Sequence, residues 1–180
     1  MISQYEIQYM KLLEDIYNNG YSDGVNERTG YSTKRIPCAV MKIDTEREFP
    51  ILKSKKVFHK SAENEILWIW QKKSNNIHDL NSTVWDEWAD EDGSIGKAYG
   101  YQLGVKHQYK EGMMDQVDRV IYDLKNNPFS RRILTNIYVH QDLHEMNLYP
   151  CAYSMTFNVT QKIGHDKLTL NAVLNQRSQD

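Results

Sequence analysis

The stretch that most constrains this chain is Asn147-Leu148-Tyr149-Pro150-Cys151-Ala152-Tyr153, because it joins a proline, a cysteine and the start of an alternating segment. From 152 to 159, Tyr153, Met155, Phe157 and Val159 fall on one face, and Ala152, Ser154, Thr156 and Asn158 on the other. A period of two predicts a strand. Proline fixes its own φ and donates no hydrogen bond, so it belongs at a strand's first residue or edge. Cys151 is therefore expected at a rigid strand entrance, where it can serve as a fixed nucleophile or as a small buried hydrophobe. Arginines elsewhere in the chain bear on that choice, since nearby cations lower a thiol's pKa.

A chain of 180 residues fits one domain with a proper core, so the expectation is a single domain over 1–180. Its 12 Tyr and 4 Trp argue against disorder. A net charge of −2 excludes polyanion binding driven by overall charge and leaves a local anion site open. The longest apolar run, 66–70, is too short to span a bilayer, so no membrane partner is expected. Cys38 and Cys151 form no C-x-x-C pair, and no secretory signal is visible; a reducing cytoplasm is the expected location.

Helical spacing over 3–17 predicts a first helix, closed by Asn18-Asn19-Gly20. Residues 36–43 read as a strand that buries Cys38, and Phe49 to Leu52 as a short buried segment. Residues 61–71 form an apolar helix carrying Glu65. Pointing inward, that carboxyl gains a raised pKa suited to proton transfer; pointing outward, it is ordinary helix surface. Val84 to Asp90 and Ala98 to Gln102 supply Trp85, Trp88, Tyr99 and Tyr101, which are core or a flat wall for a planar ligand. Residues 115–125 predict a second long helix, 133–138 a strand, 141–146 a helical turn, and 168–176 a return strand after a hairpin loop. Arg131 and Arg132 enter a strand on opposite faces, fit either for phosphate or for surface salt bridges. His140 and His144 lack a third ligand, and no metal is expected.

In order and spacing, Arg28-Thr29-Gly30, Glu65-Ile66-Leu67-Trp68, Trp85-Asp86-Glu87-Trp88-Ala89-Asp90, Tyr99-Gly100, Ser130-Arg131-Arg132, Pro150-Cys151 and Gln176-Arg177-Ser178-Gln179-Asp180 resemble the thymidylate synthase family along nearly the whole chain. The resemblance implies an α/β (α+β) three-layer fold with a large bent mixed sheet, two such sheets packing back to back in a homodimer. It implies that Cys151 attacks C6 of dUMP, that the C5 carbanion takes a one-carbon unit from 5,10-methylenetetrahydrofolate, and that elimination and hydride transfer give dTMP and dihydrofolate.

By the same resemblance, Arg28, Arg177 and Ser178 hold the 5′-phosphate, Arg131 and Arg132 reach it from the partner subunit, and Gln176 lies beside the nucleotide. Glu65 runs a proton relay and Tyr99 helps to remove the C5 proton. Trp85 and Val84 pack the folate, Asp180 accepts from the pterin, and Lys55 meets the glutamate tail. Ala152 departs from the histidine many members carry, and Gln179 also differs. The chain ends at Asp180, directly after a strand and on a functional motif, so the expectation is a truncated chain whose base-reading residue lies beyond. That leaves two alternatives: a dCMP or dUMP hydroxymethylase on the same scaffold, and a catalytically incomplete dimerising fragment.

Overall fold

The structure, a computed structural model, describes residues 2–27 and 30–177. These fall into two compact units, 1–59 and 60–180.

In the first unit, α1 (Gln4–Asn19) begins where Ser3 Oγ accepts from the Glu6 amide, 3.1 Å away. The Glu48 carboxylate takes the amides of Gln4 and Tyr5 at 2.9 and 2.7 Å, so three donors that a helix start leaves orphaned are satisfied. Glu6 is buried and accepts from the amides of Lys53 and Ser54; its bonds to Ser54 foremost hold its carboxyl below the ordinary range. At the helix end, a side chain on Gly20 would collide with the Ile16 carbonyl. β1 (Tyr21–Val25) and β2 (Ser32–Arg35) then pair antiparallel.

Two expectations fail in this unit. No strand forms over 36–43, and at Lys42 the Gln8 side-chain amide takes both backbone polar groups: Gln8 Nε2 donates to the Lys42 carbonyl at 2.8 Å, and the Lys42 amide donates to Gln8 Oε1 at 2.9 Å. Cys38 is exposed rather than in the core, as are its neighbours from 37 to 40. The segment from Phe49 to Leu52 is buried only in part, with Leu52 inside and Phe49 exposed.

The second unit contains the main core. α2 (His59–Leu67) runs into a single π-helical turn, Trp68–Lys72, which ends on Lys73 in the left-handed region at φ 53°. Trp68 is fully buried, and its indole N–H donates to the Asn76 carbonyl at 3.0 Å. Around it pack Ile69, Trp85, Ile95, Tyr99, Leu103 and Met146. α3 (Tyr99–Gly104) lies against the π turn, followed by the hairpin of β3 (His107–Tyr109) and β4 (Gly112–Met114).

α4 (Gln116–Asn126) is capped by Asp115, whose carboxylate accepts from the Asp118 amide at 2.9 Å and binds Lys73 Nζ at 2.7 Å. α4 packs on β5 (Ile133–Asn136). β5 pairs with β6 (Ala152–Gln161), and β6 with β7 (Leu168–Gln176), all antiparallel. The alternation read over 152–159 and the return strand over 168–176 therefore stand. Trp70 meets Phe157 edge-on from the covered face of β6, with ring centroids 6.2 Å apart. The architecture is α+β; among the described residues the largest sheet has these three strands.

Candidate active site

Pro150 is fully buried and brings the chain rigidly into β6, where the register with β7 slips between Ala152 and Ser154. Such bulges turn a strand's side chains and recur beside active sites. Half-buried Cys151 sits at this entrance. Its amide donates to Tyr99 Oη at 3.0 Å, and its carbonyl accepts from the Arg177 amide, also at 3.0 Å. The Arg177 guanidinium turns back on the same loop: Nε donates to the Pro150 carbonyl and Nη2 to the Tyr149 carbonyl, each at 3.1 Å. One arginine thus fastens three consecutive residues around the sulfur.

Tyr99 occupies a strained position. It opens α3 at φ 22°, a region that residues with a Cβ rarely enter, and Gly100 beside it is pressed onto the Ser74 backbone so closely that a side chain would collide with the Ser74 carbonyl. Packing maintains the strain: the Trp85 ring meets Tyr99 edge-on at 5.4 Å, and Trp85 also contacts Trp68 at 6.1 Å and Trp88 at 5.8 Å. Burial pushes the Tyr99 phenol above its ordinary pKa, against the pull of the Cys151 amide; Cys151 and Glu65 add to the rise, and Arg177 opposes it. The Tyr99 phenol therefore lies within electrostatic reach of Cys151, Glu65 and Arg177.

Glu65 points inward rather than along the helix surface. It is half-buried, and its Oε1 accepts from the Trp85 indole N–H at 2.9 Å. Trp85 is therefore core on one side and carboxylate holder on the other. Val84 next to it is 45% exposed and presents an apolar ledge. Gln176 pairs with Ala152, one residue from the sulfur's own position.

Of the six remaining expected site residues, Arg131, Arg132 and Lys55 are among the described residues. Arg131 and Arg132 are exposed, and among the described residues neither guanidinium has an ion-pair partner. Register sets them far from Cys151 of the same chain: Ile133 pairs with Phe157, six residues along β6, or about 20 Å at ~3.3 Å per residue. Lys55 belongs to the first unit, with its ammonium over the Tyr9 ring at 5.9 Å. Arg28, Ser178 and Asp180 lie outside the described residues. No group of three or more metal-ligating side chains occurs among the described residues, and none of their helices is long and apolar enough to cross a membrane.

Sequence reasoning missed the Tyr149 and Pro150 carbonyls as targets of Arg177, and it missed Asn147. Only their place beside Pro150-Cys151 marked them, since side-chain bonds to distant backbone leave no periodic trace.

The site is a cysteine at a sheet entrance of an α+β scaffold, its backbone bonded to a phenol and an arginine, with an indole-bound carboxylate within electrostatic reach of that phenol. The thymidylate synthase family model matches residues 7–180. A thymidylate synthase of Bacillus subtilis subsp. natto is 42% identical over 94% of this chain, and one of Clostridium beijerinckii 39% identical over 99%. The solved structure of the thermostable thymidylate synthase A from Bacillus subtilis superposes with a TM-score of 0.84 at 40% identity, covering 99% of this chain and 66% of that one. This chain belongs to the thymidylate synthase family. It spans 63% of the length of the two relatives named.

Proposed function

We propose that the protein methylates dUMP to dTMP, with 5,10-methylenetetrahydrofolate as co-substrate. The observation that carries this reading is the closure of Cys151, Tyr99 and Arg177 into one hydrogen-bonded group, with Glu65 fixed beside it on Trp85.

Cys151 Sγ adds to C6 of the uracil ring and leaves electron density at C5. An exposed ledge at Val84 beside buried Trp85 suits a flat apolar ring, so these two residues take the folate, with Asp180 on the pterin. When bound, the folate supplies the one-carbon unit and the hydride. Glu65, held by the indole, passes protons through ordered water. Tyr99, like any phenol, keeps its proton near neutrality, and burial acts in the same direction; it serves the C5 proton transfer as a hydrogen-bonded phenol rather than a phenolate. Arg177 uses Nε and Nη2 on backbone carbonyls, leaving Nη1 to the 5′-phosphate beside Ser178, with Gln176 next to the nucleotide.

The separation of Arg131 and Arg132 from Cys151 of their own chain supports a homodimer in which each subunit lends these arginines to the other's phosphate site. A nucleophile that must remain a free thiol fits the reducing cytoplasm. The test is folate-dependent formation of dTMP and dihydrofolate: Cys151→Ala should abolish both, and a folded wild-type protein that makes neither contradicts the reading.

A further inference from the structure

Asn147 lies four residues before the cysteine, and its side-chain amide reaches a segment more than fifty residues away. Nδ2 donates to the Trp88 carbonyl and to Asp90 Oδ1, both at 2.9 Å, and approaches the Ser94 carbonyl at 3.2 Å. All three partners are acceptors, so they demand a donor; the two amide hydrogens supply it and a carboxylate could not. The backbones are stitched at the same place. The Asn147 amide donates to Ile95 at 3.3 Å, the Lys97 amide donates to Glu145 at 2.8 Å, and Gly96 pairs with Met146 at φ 72°, with no room for a side chain against the Glu145 carbonyl.

The two tied segments carry different parts of the site. Trp88 continues into Trp85, which holds Glu65 and packs on Tyr99. Asn147 leads through Tyr149 and Pro150, fastened by Arg177, to Cys151. Asn147 and Asp90 are exposed, so water could serve these acceptors equally well; the amide's particular effect is to join the segments.

We propose that Asn147 is a positioning residue that fixes the tryptophan wall relative to the Cys151 sulfur and so governs capture of the folate rather than of the nucleotide. This rests on Trp85 and Val84 being the folate wall, as proposed above.

The test compares wild type, Asn147→Ala and Asn147→Asp. The aspartate variant sets a second carboxylate against Asp90; two carboxyls in contact retain a shared proton above the ordinary range, and that proton restores a donor as pH falls. Other charged groups on the two segments are Asp86, Glu87, Glu91, Asp92 and Lys97 on one, Asp142, His144 and Glu145 on the other, with His78 against Gly93. They are common to all three proteins, so the variant-to-wild-type ratio at each pH isolates the new carboxyl.

At pH ~8 both variants should raise KM for methylenetetrahydrofolate about tenfold, with dUMP affinity unchanged within about twofold. At pH ~4.5, below the upper pKa of about 4.7 that a carboxylate pair reaches, Asn147→Asp alone should return toward wild type. Near-ultraviolet circular dichroism of the tryptophans, without ligand, should follow the same course. Equal losses for nucleotide and folate, or a ratio for Asn147→Asp that ignores pH, overturns the proposal; a variant that merely fails to fold gains nothing from acid. If wild type makes no dTMP, the functional reading fails instead. The dichroism still judges the clasp: a pH-reversible change in Asn147→Asp supports it, and no change overturns it.

Discussion

Removing the Tyr99 hydroxyl would leave the Cys151 amide without its acceptor. Tyr99→Phe should therefore lower stability by about 1 to 2 kcal/mol, the cost of an unpaired, partly buried donor, and should slow dTMP formation more than it weakens dUMP binding. Denaturant midpoints and steady-state kinetics check both parts, and a variant of wild-type stability would show that the phenol does not hold the nucleophile. Arg177 acts on the same loop by a different geometry. A lysine keeps the charge but is a single point, whereas the guanidinium spans the Tyr149 and Pro150 carbonyls. Arg177→Lys should slow covalent capture of the nucleotide about tenfold or more while leaving the melting temperature within a few degrees. Capture at the wild-type rate would mean that charge alone suffices.

At the scale of elements, the start of α4 carries an ion pair whose pH dependence has a definite sign. Burial would raise the Asp115 carboxyl, but the Asp118 amide and Lys73 outweigh it and hold it below its ordinary value. Burial would likewise lower Lys73, but Asp115 and Asp118 outweigh it and hold it above. A lowered acid contributes stability above its unfolded pKa, ~3.9, and loses it as pH falls through the folded value; a raised base contributes below its unfolded pKa, ~10.4, and loses it as pH rises through the folded value. Asp115→Asn keeps a good helix cap and removes the shorter of the two ion pairs made by Lys73, leaving the one to Asp118 at 3.3 Å. It should cost about 2 kcal/mol between pH ~5 and ~9, with the difference from wild type closing at both extremes. A gap that stays constant into acid would assign the effect to packing.

These elements also show what the sequence could reveal. β6 was legible from the alternation behind Pro150, β7 as the return strand that a hairpin loop requires, and α4 because Val117, Val120, Ile121 and Leu124 recur at helical spacing. The segment 36–43 misled because a short apolar run says nothing about where backbone groups find partners, and at Lys42 the partner is the Gln8 side chain. At the site, Cys151, Tyr99, Glu65 and Arg177 stood out as a set of ordered motifs. The clasp of Asn147 did not, since an asparagine donating to carbonyls more than fifty residues away has no local signature.

For the whole molecule, distance along the sheet leads to a prediction about assembly. Arg131 and Arg132 lie about 20 Å from the nucleophile of their own chain, beyond the reach of their side chains. In a twofold dimer, mixing Cys151→Ala subunits with Arg131→Ala/Arg132→Ala subunits should restore activity toward about a quarter of wild type, because each mixed dimer contains one site with both parts intact. Mixtures no more active than their components would contradict shared sites.

The central claim is that the Cys151 sulfur is the group that bonds to the pyrimidine. Incubation with 5-fluoro-dUMP and methylenetetrahydrofolate, followed by denaturation and intact-mass measurement, tests it most directly. The predicted result is a mass gain of one nucleotide plus one folate, mapped to the peptide containing Cys151 and absent from Cys151→Ala; unchanged mass from folded wild-type protein, or an adduct on any other residue, would contradict it.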